Sequence, residues 1–312
     1  MADALLSPPV GITMLAVSGG ILAYSVRKTG KEFAENRIAL MGVAGAFVFA
    51  AQMINFTIPG TGSSGHIGGA VLLAALLGPA PGFIAMAGVL LIQALFFADG
   101  GLLAWGCNLF NLGFFGCFLA YPYILRPLAG KEMRPGRIMA ASCAACITAM
   151  TLGALSVTLE TLCSGITKLP FGAFVAAMVP IHIAIGLGEG LATGAILMFL
   201  RRNLPDYQMS VPESQKLSLA NLAWVFGLTA LLIGGGLSLL ASEKPDGLEW
   251  AMKRVAGSTE LEATGPVYTL AEKVGNAFAI LPDYAFKGSE SRFGTIVRSE
   301  ERRVGKECRS RW

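Results

Sequence analysis

The chain has 312 residues, is 54% hydrophobic and only 14% charged, and has a mean hydropathy of +0.61. Soluble domains carry about 25% charged residues, so the composition places an integral membrane protein ahead of an ordinary soluble enzyme. A formal charge of +4 is too small to imply a nucleic-acid partner, and where the charges fall matters more than their sum.

A spanning helix needs about 20 mainly apolar residues. Runs of that kind at 4–26, 38–55, 66–78, 82–98, 102–124, 137–160, 171–200 and 217–241 predict an all-α membrane bundle. The expected fold is about seven transmembrane helices plus one further helix, with an external loop over 242–294. The first run lacks the basic start and small-residue cleavage site of a signal peptide, so it is expected to stay as a helix. The run at 66–78 is short and ends at Gly78-Pro79-Ala80-Pro81, which suits a tilted or partial span. Six cysteines lie mostly in apolar runs. Cys143 and Cys146 have the C-x-x-C spacing but no companion ligands, so helix packing is their expected role.

Charge orients these helices. The connections 27–37, 126–137 and 201–216 hold Arg27, Lys28, Lys31, Arg37, Arg126, Lys131, Arg134, Arg137, Arg201, Arg202 and Lys216, whereas 56–65, 99–101 and 161–170 hold only Lys168. Basic loops stay cytoplasmic. The amino terminus is therefore expected outside, on the same face as His66 and Asp99.

Few residues could do chemistry. The chain has two histidines. One closes a polar stretch, Gln52 to His66, whose Pro59, Gly60, Gly62 and Gly65 favour a tight non-helical bend. Amides and an imidazole at a membrane boundary are costly to desolvate unless something binds them. Neutral imidazole suits late first-row divalent metals, and a hydrogen bond to a loop carbonyl is the plainer alternative for His66. Asp99 is the only charge in a second outer turn, Asp99-Gly100-Gly101. Asn108 and Asn111 follow on one helix face, where cross-helix bonding competes with a ligand role, as it does for Gln93. His182 and Glu189 stand two turns apart on another helix and were open to two readings, functional pair or structural clasp. Glu160 and Lys168 flank an outer loop and are expected to be solvated. The sequence has no P-loop, no H-E-x-x-H and no G-x-S-x-G, so an enzyme is not expected.

The stretch Ala51-Gln52-Met53-Ile54-Asn55-Phe56 through Ser64-Gly65-His66 resembles the CbiM/NikM family. The likeness continues through Gln93 to Gly101, Asn108-Leu109-Phe110-Asn111 and His182-Ile183-Ala184-Ile185-Gly186. A second stretch, Pro245-Asp246-Gly247-Leu248-Glu249-Trp250 followed by Leu281-Pro282-Asp283-Tyr284, resembles the PDGLE region of the associated small subunit. The implied organisation is a metal-capturing membrane domain at 1–205, a truncated PDGLE-like region with one transmembrane helix at 206–297, and a basic tail at 298–312 that looks non-native.

The resemblance implies the substrate-capturing membrane subunit of an energy-coupling-factor importer for cobalt or nickel, with cobalt placed slightly ahead. It implies no cofactor. Its partners would be a membrane coupling subunit and two cytoplasmic ATPase subunits, and the location a bacterial inner membrane with the amino terminus outside. Ala46 and Ala50, four apart, would let a partner helix approach closely. In the family the ion is held by the free amino terminus, by the backbone nitrogen and ring of a second-position histidine, and by a later histidine matching His66. Met1 aligns here with the family's third residue, so the true start is expected two residues upstream. Gln52, Asn55, Asp99, Asn108 and Asn111 would hold the ligands from behind, with His182 and Glu189 supporting the inner end of the bundle. The alternatives are a non-transporting membrane accessory protein and a solitary ion-coupled carrier.

Overall fold

In the computed structural model, residues 1–30, 35–130, 132–167, 169–203, 219–235, 242, 244–257 and 265–281 are described. Lys31, Lys131, Lys168 and Lys216, the stretch Pro282-Asp283-Tyr284 and the tail 298–312 lie outside the described residues, as does the side chain of Arg37.

A short 3-10 turn, Asp3–Leu5, precedes helix α1 (Pro8–Gly30) and helix α2 (Glu35–Gln52). The chain then forms a hairpin of β1 (Phe56–Ile58) and β2 (Ser63–Gly65), paired antiparallel with Phe56 opposite Gly65 and Ile58 opposite Ser63. Its turn places Gly60 and Gly62 at φ +76, a left-handed geometry that glycine adopts without strain. This small sheet is a local feature that an all-helical expectation missed.

Helix α3 (Ala70–Leu77) follows, and Gly78 joins it to α4 (Pro79–Phe96). The 8 residues of α3 rise only about 12 Å, too little to cross a bilayer, and all of them are buried. The 66–78 run is therefore a buried partial helix. Next come α5 (Trp105–Asn108), a π-helical stretch Leu109–Leu125 and α6 (Arg126–Ala129), which together make one apolar rod, Trp105–Ala129. The two longest helices are α7 (Pro135–Ser164) and α8 (Phe171–Asn203).

Among the described residues, five helices are long and apolar enough to cross a membrane: α1, α4, the Trp105–Ala129 rod, α7 and α8. The apolar parts of α2 (Ile38–Gln52) and of α9 (Leu219–Gly235, within it Trp224–Ile233) are shorter. Large side chains stand exposed on the long rods, among them Ile12, Val17, Leu91, Leu187 and Phe199, as expected where lipid is the solvent. This is an all-α membrane protein in its architecture.

Glycine lets the rods meet. A Cβ at Gly186 would lie 2.7 Å from Ile147 Cα, one at Gly153 2.6 Å from the Asn111 carbonyl oxygen, and one at Gly190 would strike the Cys143 backbone. Only small residues allow such backbone approach where lipid supplies no hydrophobic drive. Cys146 packs in the same seam, its thiol 3.8 Å from Thr193 Oγ1, and the described cysteines are free. Their packing role is what the structure shows.

The segment expected as a plain external loop contains two helices, α10 (Gly247–Ala256) and α11 (Pro266–Phe278). Both dock on the membrane domain. Tyr268 Oη donates to the Leu6 carbonyl at 2.7 Å, and α10 packs against α8 and β2.

Candidate metal centre

The hairpin turn, the amino terminus, α8 and the start of α10 converge on a cavity of about 110 Å³ lined by Met1, His66, Asn108, Asn111, His182 and Asp246 among others. Residues far apart in sequence meet here because each sits at one end of the bundle. The start of the chain, the β1–β2 hairpin and the Gly100-Gly101 turn all lie at that end.

The amino terminus is held by a reciprocal clasp. The Met1 ammonium donates to Asn108 Oδ1 at 2.9 Å, and Asn108 Nδ2 donates to the Met1 carbonyl at 3.0 Å. Asp3 extends the grip, accepting from the Ala104 amide at 2.7 Å. Burial pushes the Asp3 carboxyl above its ordinary value, and the backbone amides of Ala104, Leu103 and Leu102 pull it back. Gly100 and Gly101, at φ +87 and +85, make room, since a Cβ at Gly101 would collide with the Asp3 carboxylate.

His66 is half-buried, and its Nδ1 lies 3.1 Å from the Ile67 carbonyl. A carbonyl oxygen only accepts, so Nδ1 carries the hydrogen and Nε2 of the neutral ring keeps its lone pair. His182 repeats the pattern, with Nδ1 at 2.8 Å from the Met178 carbonyl. The plainer reading of His66, a bond to a loop carbonyl, is thus true of one nitrogen and leaves the other available. Both expectations coexist in one ring.

The backbone just beyond His66 is clamped from two sides. Glu189, 2% exposed, accepts from the Gly68 and Gly69 amides at 3.0 and 2.8 Å. Gln52 Nε2 donates to the Gly68 carbonyl at 2.7 Å, and Gln93 Nε2 donates to Gln52 Oε1 at 2.8 Å. Fixing a ligand from behind in this way is the usual office of groups around a metal site.

Two expectations are corrected. His182 and Glu189 were assigned to the inner end of the bundle. Instead His182 lines the same cavity as His66, and Glu189 grips the loop that carries His66, because a seven-residue spacing keeps both on the α8 face turned toward that loop. Glu160 is not solvated: it is 7% exposed and accepts from Asn111 Nδ2 at 2.8 Å and Ser156 Oγ at 3.3 Å. Helix α7 runs on to Ser164, which places Glu160 inside the helix rather than in the loop. Of Ala46 and Ala50, whose face could meet either a partner subunit or another helix of this chain, Ala50 is buried in the apolar core and Ala46 is exposed.

The other site residues fall on both sides of the line. Asn108 and Asn111 line the cavity, and Gln52 holds the Gly68 carbonyl two residues beyond His66. Asp99 is exposed in its turn, its amide donating to the Gln93 carbonyl at 3.0 Å, and Asn55 offers its carbonyl to the Ser242 amide at 2.7 Å. Neither lines the cavity.

Sequence reasoning missed Asp246. It caps α10, accepting from the Glu249 amide at 2.8 Å while Glu249 Oε2 accepts from the Asp246 amide at 3.4 Å. This capping box seats the motif on the hairpin: the Ser64 amide donates to the Pro245 carbonyl at 2.8 Å, Ser64 Oγ to the Lys244 carbonyl at 2.6 Å, and Trp250 Nε1 to the Thr61 carbonyl at 3.0 Å. The signal was the Pro-Asp-Gly-Leu-Glu string, where an Asp three residues before a Glu marks a helix start.

Among the described residues, no three His, Cys, Asp or Glu side chains form a ready metal cluster.

A multi-pass helical membrane protein with an imidazole-lined cavity at one end is the class that fold and site define. Residues 1–207 match the family described as CbiM, cobalt uptake substrate-specific transmembrane region, and residues 220–298 match the PDGLE domain. The chain belongs to the CbiM family of cobalt and nickel transport membrane proteins. It is 32% identical over 301 residues to a protein of Archaeoglobus fulgidus provisionally named fused nickel transport protein NikMN, covering 93% of this chain and 91% of that one. It is 29% identical over 279 residues to the cobalt transport protein CbiM of Geobacter sulfurreducens, covering 83% and 78%. A crystal structure titled as a transition metal transporter superposes with TM-score 0.58 at 28% identity, covering 65% of this chain and 92% of that chain.

Proposed function

We propose that the chain is the metal-capturing membrane component of an ATP-driven importer of the energy-coupling-factor type, taking cobalt or nickel from outside the cell. The observation that carries this reading is the meeting of Met1 and His66 at one cavity. His66 Nε2 and the amino-terminal nitrogen are its ligands. Nitrogen donors of this kind favour nickel or cobalt over magnesium and calcium, and they do not distinguish those two metals from each other.

Asn108 positions the terminus, while Gln52 and Glu189 hold the His66 loop. His182 and Asn111 line the same space. Asn55 and Asp99 act at most from the rim. Binding releases protons, because both amine and imidazole must be deprotonated to ligate, so affinity falls on acidification. The sequence has no P-loop, which fits energy supplied by separate ATPase subunits through a membrane coupling subunit. The cavity end faces outward, since the basic helix ends at Arg27, Arg126, Arg134, Arg137 and Arg201 lie opposite it.

Titrating the purified protein with Ni2+ and Co2+ tests the reading. Saturable binding is expected, and His66→Ala should weaken it by more than about tenfold, the least that losing even a supporting partner costs. A form extended by Met-His ahead of Met1, titrated in parallel, is expected to bind more tightly. If His66→Ala binds as well as the parent, the accessory-protein reading replaces this one.

A further inference from the structure

The polar side-chain atoms left available in the cavity share one character. Asn111 is 5% exposed, and its Nδ2 is committed to Glu160. Its Oδ1 is buried and, among the described residues, has no hydrogen-bond partner. A buried acceptor left unpaired is costly, and on a residue that lines the cavity it points to a donor ligand. His182 contributes Nε2, an acceptor in the neutral ring because Nδ1 donates to Met178. Asp246, which also lines the cavity, adds a carboxylate, one of whose oxygens is held by the Glu249 amide.

These acceptors come from three separate elements: the π-helical stretch, α8 and the cap of α10. The proposed ligands His66 and Met1 belong to neither α8 nor α10. An acceptor-lined wall recognises a ligand that presents only hydrogens. A divalent ion in its water shell is such a ligand, because every coordinated water points its hydrogens outward. The space is sufficient: at about 30 Å³ per water, a cavity of about 110 Å³ accommodates an ion with several of its waters.

We propose that Asn111 Oδ1, His182 Nε2 and the Asp246 carboxylate form a receiving site for the partly hydrated metal ion. They hold it through its waters before His66 and the amino terminus replace those waters. Glu160 positions Asn111 by fixing its amide so that the oxygen faces the cavity. The exchange is balanced: each metal–water bond that breaks is replaced by a metal–nitrogen bond, the water leaves intact, and the proton displaced from the amine goes to solvent. This deepens the proposed function and rests on it.

The test is stopped-flow association of Ni2+ with the full chain in detergent, read beside equilibrium titration and thermal stability. His182→Phe and Asn111→Leu should each slow association about five- to tenfold, the effect of one lost hydrogen bond. His182→Gln, which keeps an acceptor oxygen, should recover most of the rate. Association at the parent rate in His182→Phe and Asn111→Leu overturns the proposal. So does His182→Gln as slow as His182→Phe, because a packing role would give that result. If the parent binds neither metal, or His66→Ala binds normally, the proposed function itself has failed; loss of binding in His66→Ala with unaltered rates in the other variants removes only the receiving site.

Discussion

Two regions enclose the cavity, and they are held together by different forces. Its wall, the α7–α8 seam, is fastened by backbone-to-backbone approach at Gly186 and Gly190, with no space for displacement. Its rim, made of the amino terminus, the hairpin and α10, is fastened by hydrogen bonds such as Ser64 to Pro245 and Trp250 to Thr61, and by side-chain packing in which Leu5, Ala251 and Met252 cluster with Phe174 and Met178. A close-packed seam is felt throughout when one methyl is added. A neutral hydrogen bond contributes about 1 kcal/mol net. The wall should therefore tolerate substitution less well than the rim.

The sharpest way to break this contrast is to alter the wall. Gly186→Val should cost about 3 kcal/mol or more, since its Cβ alone would lie 2.7 Å from Ile147 Cα and 2.9 Å from the Cys146 carbonyl oxygen. Loss of monodisperse protein or a large drop in melting temperature is the expected result. A Gly186→Val protein as stable as the parent would show that the seam is loose.

The next largest effect is at the junction of wall and rim. Glu189→Ala leaves the Gly68 and Gly69 amides without their carboxylate, and Ni2+ affinity in titration should fall by about tenfold to a hundredfold. Trp250→Phe removes the bond to the Thr61 carbonyl and shrinks the ring that Arg254 overlies, while keeping an aromatic side chain in place. Its cost of about 1 kcal/mol should appear as faster Ni2+ release with little change in melting temperature.

The smallest effect concerns Asp3. Burial raises its carboxyl in the folded state, so the docked segment binds a proton more readily than the free one. Docking should strengthen as pH falls from neutral through the raised value, and level off below the ordinary carboxylate value of about 3.9. Asp3→Asn should lose this dependence, which hydrogen exchange at the Ala104 amide would report. Metal affinity moves the opposite way with pH, so the two are separable.

The long rods were readable because lipid imposes a simple length and composition rule, and α1, α4, α7 and α8 lie close to their expected spans. His66 and Asn108 were readable because polar groups in such a context are rare. The β1–β2 hairpin was not, since its six paired residues show little alternation and its glycines fit any turn. Glu160 was misplaced because nothing in its neighbours marks the extra turn of α7 that buries it. Asp246 was hidden by distance: 180 residues separate Ser64 from Lys244, and no periodicity connects a helix cap to a hairpin so remote. Burial and pairing across such separations are tertiary facts, invisible to local pattern.

The seating of α10 on the hairpin has a consequence for how the transporter is encoded. Because both lie on one polypeptide, their encounter is intramolecular, at an effective concentration set by the tether rather than by expression level. Weak individual bonds at the interface are then sufficient to keep it mostly formed. Were the chain divided between Asn203 and Leu219, the same bonds would have to sustain a two-body equilibrium in the bilayer, and stronger contacts or higher copy number would be needed to match it.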